Sequence, residues 1–311
     1  MKHSLKITGI LLGMFLIAQL VGLAVNYAYT PQVSTEIIQV GNITTSINIT
    51  KYNLPYGVEP PEHNEPKMNF ISMLIAFVLA IGIMLLMMKF RAELLLRGWF
   101  FIVITIGIAV AINASLLSIP YAAVISFIIG LILAYLKVFQ RNIIIHNLTE
   151  LLVYPGISAI FVPLLNIWTI VFLLVIISFY DMYAVWHSGF MQKMAKYQIK
   201  KVRVFSGFFI PYIKKEDRAL LEKMKKSKMK NQKIKVNIAL LGGGDVVFPM
   251  ILAGVVLQSW GLIPALLIIL GAAISLGYLF YISEKGKFYP AMPFISAGCL
   301  IALAVASLIS S

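Results

Sequence analysis

Nine stretches of about 20 mostly apolar residues recur along this chain, near 5–28, 69–88, 98–118, 120–137, 143–163, 166–188, 236–257, 261–283 and 289–310. A run of that length is what one helical crossing of a bilayer requires. Backbone N–H and C=O groups find no water in hydrocarbon, so each run satisfies its own hydrogen bonds as a helix. The expectation is an all-α membrane protein with about nine transmembrane helices. Composition agrees, because 60% of residues are apolar and 12% are charged, a balance that a water-facing surface does not carry. Only Ser118, Ile119 and Pro120 separate the third run from the fourth, which predicts a tight helical hairpin. Lys2 and Lys6 precede an apolar run from Ile7 to Val25. That run is longer than the core of a secretory signal, so the first helix is expected to be retained.

Charge organises the rest. The stretch 29–68 carries Glu36, Glu59, Glu62 and Glu65 against Lys51 and Lys67, with Thr- and Ile-rich sequence suited to a short hairpin and sequons at Asn42 and Asn48, as fits an outer-face loop. The stretch 189–235 holds fifteen Lys or Arg against Glu216, Asp217 and Glu222, and basic residues collect on the cytoplasmic side. With the N-terminus cytoplasmic, the loops after every second span also hold Lys89, Arg91, Arg97, Lys137, Arg141, Lys285 and Lys287, so 24 of 26 basic residues fall inside. A miscount by one span would scramble that segregation. The chain thus divides into spans and outer loop over 1–188, a basic cytoplasmic loop over 189–235, and three spans over 236–311. The formal charge of +14 points to anionic lipid headgroups and not to nucleic acid, for which no aromatic platform or motif is present. Cys299 is the single cysteine, which excludes an intrachain disulfide and a cysteine metal cluster. No HExxH supplies zinc ligands, and no metal or cofactor is expected.

Three carboxylates fall inside the spans: Glu150, Asp181 and Asp245. An acid at the middle of a membrane helix costs on the order of 2.5–3.5 kcal/mol, so each needs a reason. Asp181 lies eight residues before Gly189 and Asp245 ten after Lys235, which at the helical rise puts them about 12 and 15 Å below the same face. Consecutive helices thus present two carboxyls at matching depth. Two carboxyls at close range cannot both ionise, which leaves one acid and one base for attack of water on a peptide bond. Which Asp takes which part belongs to the coupled pair. Glu150 lies about 13 Å deep by the same rise, with His146 one turn away, and that pair reads as structural or pKa-tuning. Gly242, Gly243 and Gly244 directly precede Asp245. Inside a span they weaken the helix and expose an open strip of main chain suited to an extended peptide, whose amides need partners where water is absent.

Tyr180-Asp181, Gly242-Gly243-Gly244-Asp245 and Pro290-Ala291-Met292-Pro293 resemble the YD, GxGD and PAL motifs of the presenilin and signal peptide peptidase family, in order and on the expected spans. The run Gly244 to Pro249 is especially similar to archaeal presenilin homologues. The resemblance covers essentially the whole chain and implies a presenilin-like fold and an intramembrane aspartyl endopeptidase that cuts transmembrane helices, with Asp181 and Asp245 as the catalytic dyad. It also implies that Tyr180, the three glycines and Pro290, Ala291, Met292 and Pro293 shape the active site and contact substrate. Met292 stands where the family has leucine, a swap of similar volume. Pro264-Ala265-Leu266 also spells the motif, but reads as a helix start with Pro in its first turn.

The competing class is a proton- or cation-coupled transporter or channel, with the intramembrane acids as a relay and the glycines as a broken-helix site. No repeat relates the two halves, which counts against it. Within the basic loop, the apolar run Val204 to Pro211 reads first as an interfacial anchor and second as a self-cleavage segment placed in the active site. The charge pattern places the chain in the cell membrane with the loop between the Asp helices cytoplasmic, as in presenilins. An epitope tag within 214–235 is therefore expected to be reached from the cytoplasmic side alone, and labelling in intact cells overturns that orientation.

Overall fold

The computed structural model describes residues 5–40, 43–51, 54–57, ten positions between 71 and 90, 92–140, 142–187, 205–212, 237–284 and 289–310. Eight helices in it are long and apolar enough to cross a membrane. They are α1 (Leu5–Ala28), α2 (Glu93–Leu116), α3 (Ala122–Phe139), α4 (Ile143–Phe161), α5 (Ile167–Trp186), α6 (Gly243–Trp260), α7 (Leu262–Ile282) and α8 (Met292–Ser310). The described positions from 71 to 89 are helical too, where the sequence places a further span. Between α1 and that segment, β1 (Gln32–Val40) and β2 (Ile43–Lys51) pair antiparallel from Gln32↔Lys51 to Val40↔Ile43, the hairpin suggested by the Thr- and Ile-rich run. Residues 188–204 and 213–236 lie outside the described residues, and with them most of the basic loop on which the orientation rests.

Local chemistry sets the helix ends. The Asn142 side chain accepts the Ile144 N–H to start α4, and Asn166 with Thr169 forms a capping box that starts α5. Gly261, at φ 92°, ends α6 and admits a reversal of one residue into α7. Pro264 lies in the first turn of α7, so Pro264-Ala265-Leu266 is a helix start as the sequence indicates.

Helix α6 is the centre of the bundle: 67% of its apolar window is buried within the protein, against 28–44% for the other spans. It touches α1, α4, α5, α7 and α8. The outer helices turn apolar residues outward, as α3 does with Val124, Phe127, Ile128 and Ile132. In lipid such faces gain nothing by burial, so cohesion comes from close packing and interhelical hydrogen bonds. Gly156 of α4 lies directly against the Gly107 backbone of α2, and Gly298 of α8 against Gly271 and Ser275 of α7. A polar seam runs down α1. Gln19 Nε2 donates to the Val246 carbonyl at 2.8 Å, and Asn26 Nδ2 donates to Ser158 Oγ at 2.9 Å.

Three expectations change. The run 236–257 is not one helix, because Asn237–Gly242 forms strand β4 and α6 begins only at Gly243. Glycine is a poor helix former, and a partner strand takes up the backbone groups of the segment. That partner is β3 (Gly207–Tyr212), paired antiparallel from Gly207↔Gly242 to Tyr212↔Asn237. The run 204–211 is thus not an interfacial anchor. Phe208 is fully buried, edge-on to the Tyr154 ring of α4 at 5.5 Å, and Ala239 and Leu241 of β4 are buried with it. Finally, Lys137 is not a solvated loop charge. Helix α3 continues past it, and its buried ammonium lies 2.8 Å from Glu150 Oε1. The four-carbon stem reaches inward from the helix end, opposite to the usual outward snorkel.

Two stability predictions follow from these joints. Gly156→Ala drives a methyl into backbone that cannot rotate away and is expected to cost at least about 1–3 kcal/mol, read as a lowered unfolding midpoint in detergent. Lys137→Met strands a buried carboxylate at a cost of about 3–5 kcal/mol, and adding Glu150→Gln is expected to recover most of it in the same assay.

Candidate active site

The site is assembled where the N-termini of α6 and α8 meet the C-terminal end of α5. Asp181 lies within the last two turns of α5, is 3% exposed, and faces α8. Its Oδ2 accepts the Met292 backbone N–H at 3.0 Å, with the Ala291 N–H also directed at the carboxyl. One turn back on α5, Ser178 Oγ donates to Ser296 Oγ at 2.9 Å, one turn into α8. Two bonds a turn apart thus lock α5 to α8. The first N–H groups of a helix have no partner within it, and its dipole is positive there. The Pro290-Ala291-Met292-Pro293 segment, in which Met292 is the first helical residue, turns that feature on Asp181.

Asp245 is held by its own helix. Gly242 is the N-cap of α6, and Asp245, three residues on, turns its carboxyl back toward Gly242 without a well-aligned hydrogen bond to it. That is the position of the acidic member of a capping box. A β-carbon at Gly242 would stand 3.0 Å from Asp245 Oδ2, so the missing side chain leaves room for that fold. The charge of Asp181 reaches Asp245. Two acids on neighbouring helices, each set at a helix N-terminus, therefore share one electrostatic site.

The three glycines do different things, which spacing alone does not reveal. Gly243 is enclosed: a β-carbon there would meet Ser206 Oγ at 2.5 Å and Tyr154 Oη at 3.0 Å. Gly244 faces open space, with only the Phe248 ring within 4 Å. Together they form the junction of a strand and a helix and not a flexible stretch of membrane helix. Pro249 has no N–H to offer the Asp245 carbonyl, and Gln19 donates to the next carbonyl, that of Val246. The first turn of α6 is thereby held from α1.

Strand β3 lies behind this junction. The Gly243 N–H donates to the Ser206 carbonyl at 3.3 Å, extending the β3–β4 ladder into the first residue of α6. On the far side of β3 is the polar start of α4. Glu150 is fully buried, bound by Lys137, with His146 Nε2 at 3.5 Å and the Gly207 N–H at 3.2 Å. It lies across β3 from the Gly243 junction, in contact with His146 as their spacing suggested. The Tyr154 hydroxyl faces Glu150 and Ser206 without a well-aligned hydrogen bond to either. Tyr180 is 42% exposed on the flank of α5 beside Asp181. Among the described residues, no group of three or more His, Cys, Asp or Glu side chains converges as a metal site.

Asn147, Tyr154, Ser206, Gln19 and Lys137 join the site or its support without having been singled out in the sequence. The available signal was the polar start of α4, His146-Asn147 with Thr149-Glu150, within a membrane span. Lys137 carried none, because its position two residues from a helix end reads as interfacial.

Comparison with curated proteins gives no match. Among solved structures, the chain is similar to a presenilin family intramembrane aspartate protease in two crystal forms. The C222 form has a TM-score of 0.57 and 18% identity, covering 97% of this chain and 99% of that one. The P2 form has a TM-score of 0.54 and 17% identity over 96% of each. The family model described as signal-peptide peptidase, presenilin aspartyl protease matches residues 35–311. With a family match over most of its length and the corresponding helical membrane fold, this chain belongs to the signal-peptide peptidase and presenilin family of aspartyl proteases.

Proposed function

We propose that this protein hydrolyses peptide bonds within transmembrane helices by a water-activating mechanism in which Asp181 and Asp245 are the catalytic pair. The observation that carries the reading is the placement of these two carboxyls at the N-termini of α8 and α6, with the charge of Asp181 reaching Asp245. Paired in this way, one carboxyl holds a proton while the other is ionised. The ionised member takes a proton from water as the oxygen attacks the scissile carbonyl carbon. The protonated member hydrogen-bonds the carbonyl oxygen and then protonates the departing nitrogen. The products are a new carboxyl terminus and a new amine, and the pair exchanges roles without a covalent intermediate.

Substrate must be extended to be cut, and extended backbone in a membrane needs hydrogen-bond partners. In the ladder that joins Ser206 to Gly243, Phe208 to Leu241 and Ile210 to Ala239, the backbone groups of Ile238 and Leu240 point away from β3. Leu240 is exposed. An unwound substrate segment adds to that edge as a third strand, and β4 runs directly into Asp245. Gly244, open toward the pair, leaves room for the substrate main chain. Tyr180 and the Pro290 to Pro293 segment flank the scissile bond from the α5 and α8 side.

The basic residues of the 189–235 loop favour a cytoplasmic position for the proposed catalytic end of α5 and α6 in the cell membrane, and with it substrates whose N-termini lie outside. A proton- or cation-conducting role gains no support from the family or the fold. In purified protein with a single-span helical substrate, Asp181→Ala and Asp245→Ala are each expected to lower kcat by at least about a thousandfold while the protein stays folded. Cleavage preserved in either variant breaks the dyad.

A further inference from the structure

Strand β3 has two edges, and neither is left to lipid. One pairs with β4. The other faces the first two turns of α4, where side chains do the work of a neighbouring strand. Asn147 Oδ1 accepts the Phe209 N–H at 2.9 Å, and Asn147 Nδ2 donates to the Phe209 carbonyl at 2.8 Å. A carboxamide is the side-chain equivalent of a peptide group, so this two-bond exchange reproduces the hydrogen-bonded pair of an antiparallel sheet. Two residues earlier, the Gly207 N–H reaches Glu150 Oε1 at 3.2 Å and the Gly207 carbonyl bonds His146 Nε2 at 2.8 Å. The His146 ring also packs on the Phe209 ring at 4.7 Å between centroids. Every outward backbone group of Gly207 and Phe209 is thereby matched, those of Gly207 by His146 and Glu150 and those of Phe209 by Asn147.

The match has a directional consequence. Glu150 is itself fixed by Lys137 on α3, and α4 is fixed to α2 through the Gly107–Gly156 contact. The phase of β3 along its own axis is therefore set by the helical bundle and not by the loop that follows it. Because β3 sets β4 residue by residue, and β4 continues into Gly242 and Asp245, the same bonds set how far the open edge stands from the acids. A slip of the sheet by one residue would reverse which backbone groups point outward.

We propose that Asn147, supported by His146 and Glu150, is a positioning residue for proteolysis: by closing the outer edge of β3 it fixes the register of the β3–β4 sheet against Asp245 and so determines which peptide bond of an added substrate strand is cut. The proposal rests on the protease reading above. Asn147 touches neither acid, and its effect passes through backbone that substrate meets on the other strand.

Asn147→Leu keeps the approximate shape and removes both bonds to Phe209, while Asn147→Asp keeps the acceptor and loses the donor. With a single-span substrate and mass-spectrometric mapping of products, N147L is expected to spread cleavage over bonds adjacent to the wild-type position. It is also expected to raise KM about tenfold with kcat within about threefold, and N147D to show the same change in smaller measure. Amide exchange of the 205–212 peptide, read without substrate, is expected to quicken at least about tenfold in N147L. A folded N147L with the wild-type cut position and KM overturns the proposal. If N147L does not fold, N147D decides by the same criteria, and wild-type products and KM there are equally fatal. Failure of wild-type protein to cut any helical substrate counts against the protease reading instead, and the exchange measurement still shows whether Asn147 holds β3.

Discussion

A hydrogen bond between residues 111 positions apart, from the Met292 amide to the Asp181 carboxylate, ties the start of α8 to the acid of α5. An acid in a membrane span is expensive unless something holds its charge. The donor here is one that α8 has in surplus, because the first N–H groups of a helix have no intrahelical acceptor. Burial of Asp181 and the start of α8 are therefore one problem with one solution. Proline at 290 and 293 suits that arrangement, since Pro293 has no N–H to leave unmatched in the first turn, and Pro290 stops the helix from extending backwards past the carboxyl. The Ser178 to Ser296 bond one turn away keeps the contact from pivoting.

The strand pair beside the acids looks at first like a violation of membrane rules, since open sheet edges do not occur against lipid. The structure resolves it by enclosure. One edge of β3 is matched by β4 and the other by three polar side chains of α4, which explains why that helix begins with residues unusual for a membrane span. Among the described residues, what remains open is the short edge of β4 at Ile238 and Leu240. An unsatisfied edge in a nearly dry site is poorly tolerated at rest, and that is what makes it a receptor for extended backbone in the proposed reaction. The cost of leaving two amides open is offset when a third strand arrives.

Most of the helical architecture was legible because the bilayer imposes one length and one backbone solution on every crossing. The hairpin at Ser118 to Pro120, the helix over the first apolar run and the helix start at Pro264 were readable for that reason. Glu150 was readable as structural from its spacing to His146, although its stronger partner, Lys137, was not. A lysine near a helix end carries no periodicity that separates an outward reach from an inward one. The strands over 207–212 and 237–242 were illegible for a different reason. Each is a short apolar run, and such a run suits a helix, an interfacial anchor or a strand equally until its partner is known. Partnership is non-local, and the two runs are separated by a long basic stretch. Asn147 was hidden by the same circumstance, because its role exists only once β3 lies beside it.

The two acids differ in a way that bears on how the pair works. Asp245 is anchored within its own chain segment, its carboxyl turned back on the N-cap three residues before it, so its position follows α6 wherever α6 goes. Asp181 is anchored across a helix interface, and its carboxyl loses its donor if the start of α8 moves. The central, most buried helix thus carries the fixed acid, while the peripheral contact between α5 and α8 carries the adjustable one. A helix substrate reaching the pair must pass between elements that lipid does not bind tightly together. The α5–α8 seam is the place where opening disturbs only one of the two carboxyls. Motion of α8 would take the Met292 donor from Asp181 and leave Asp245 and the β4 edge as they are.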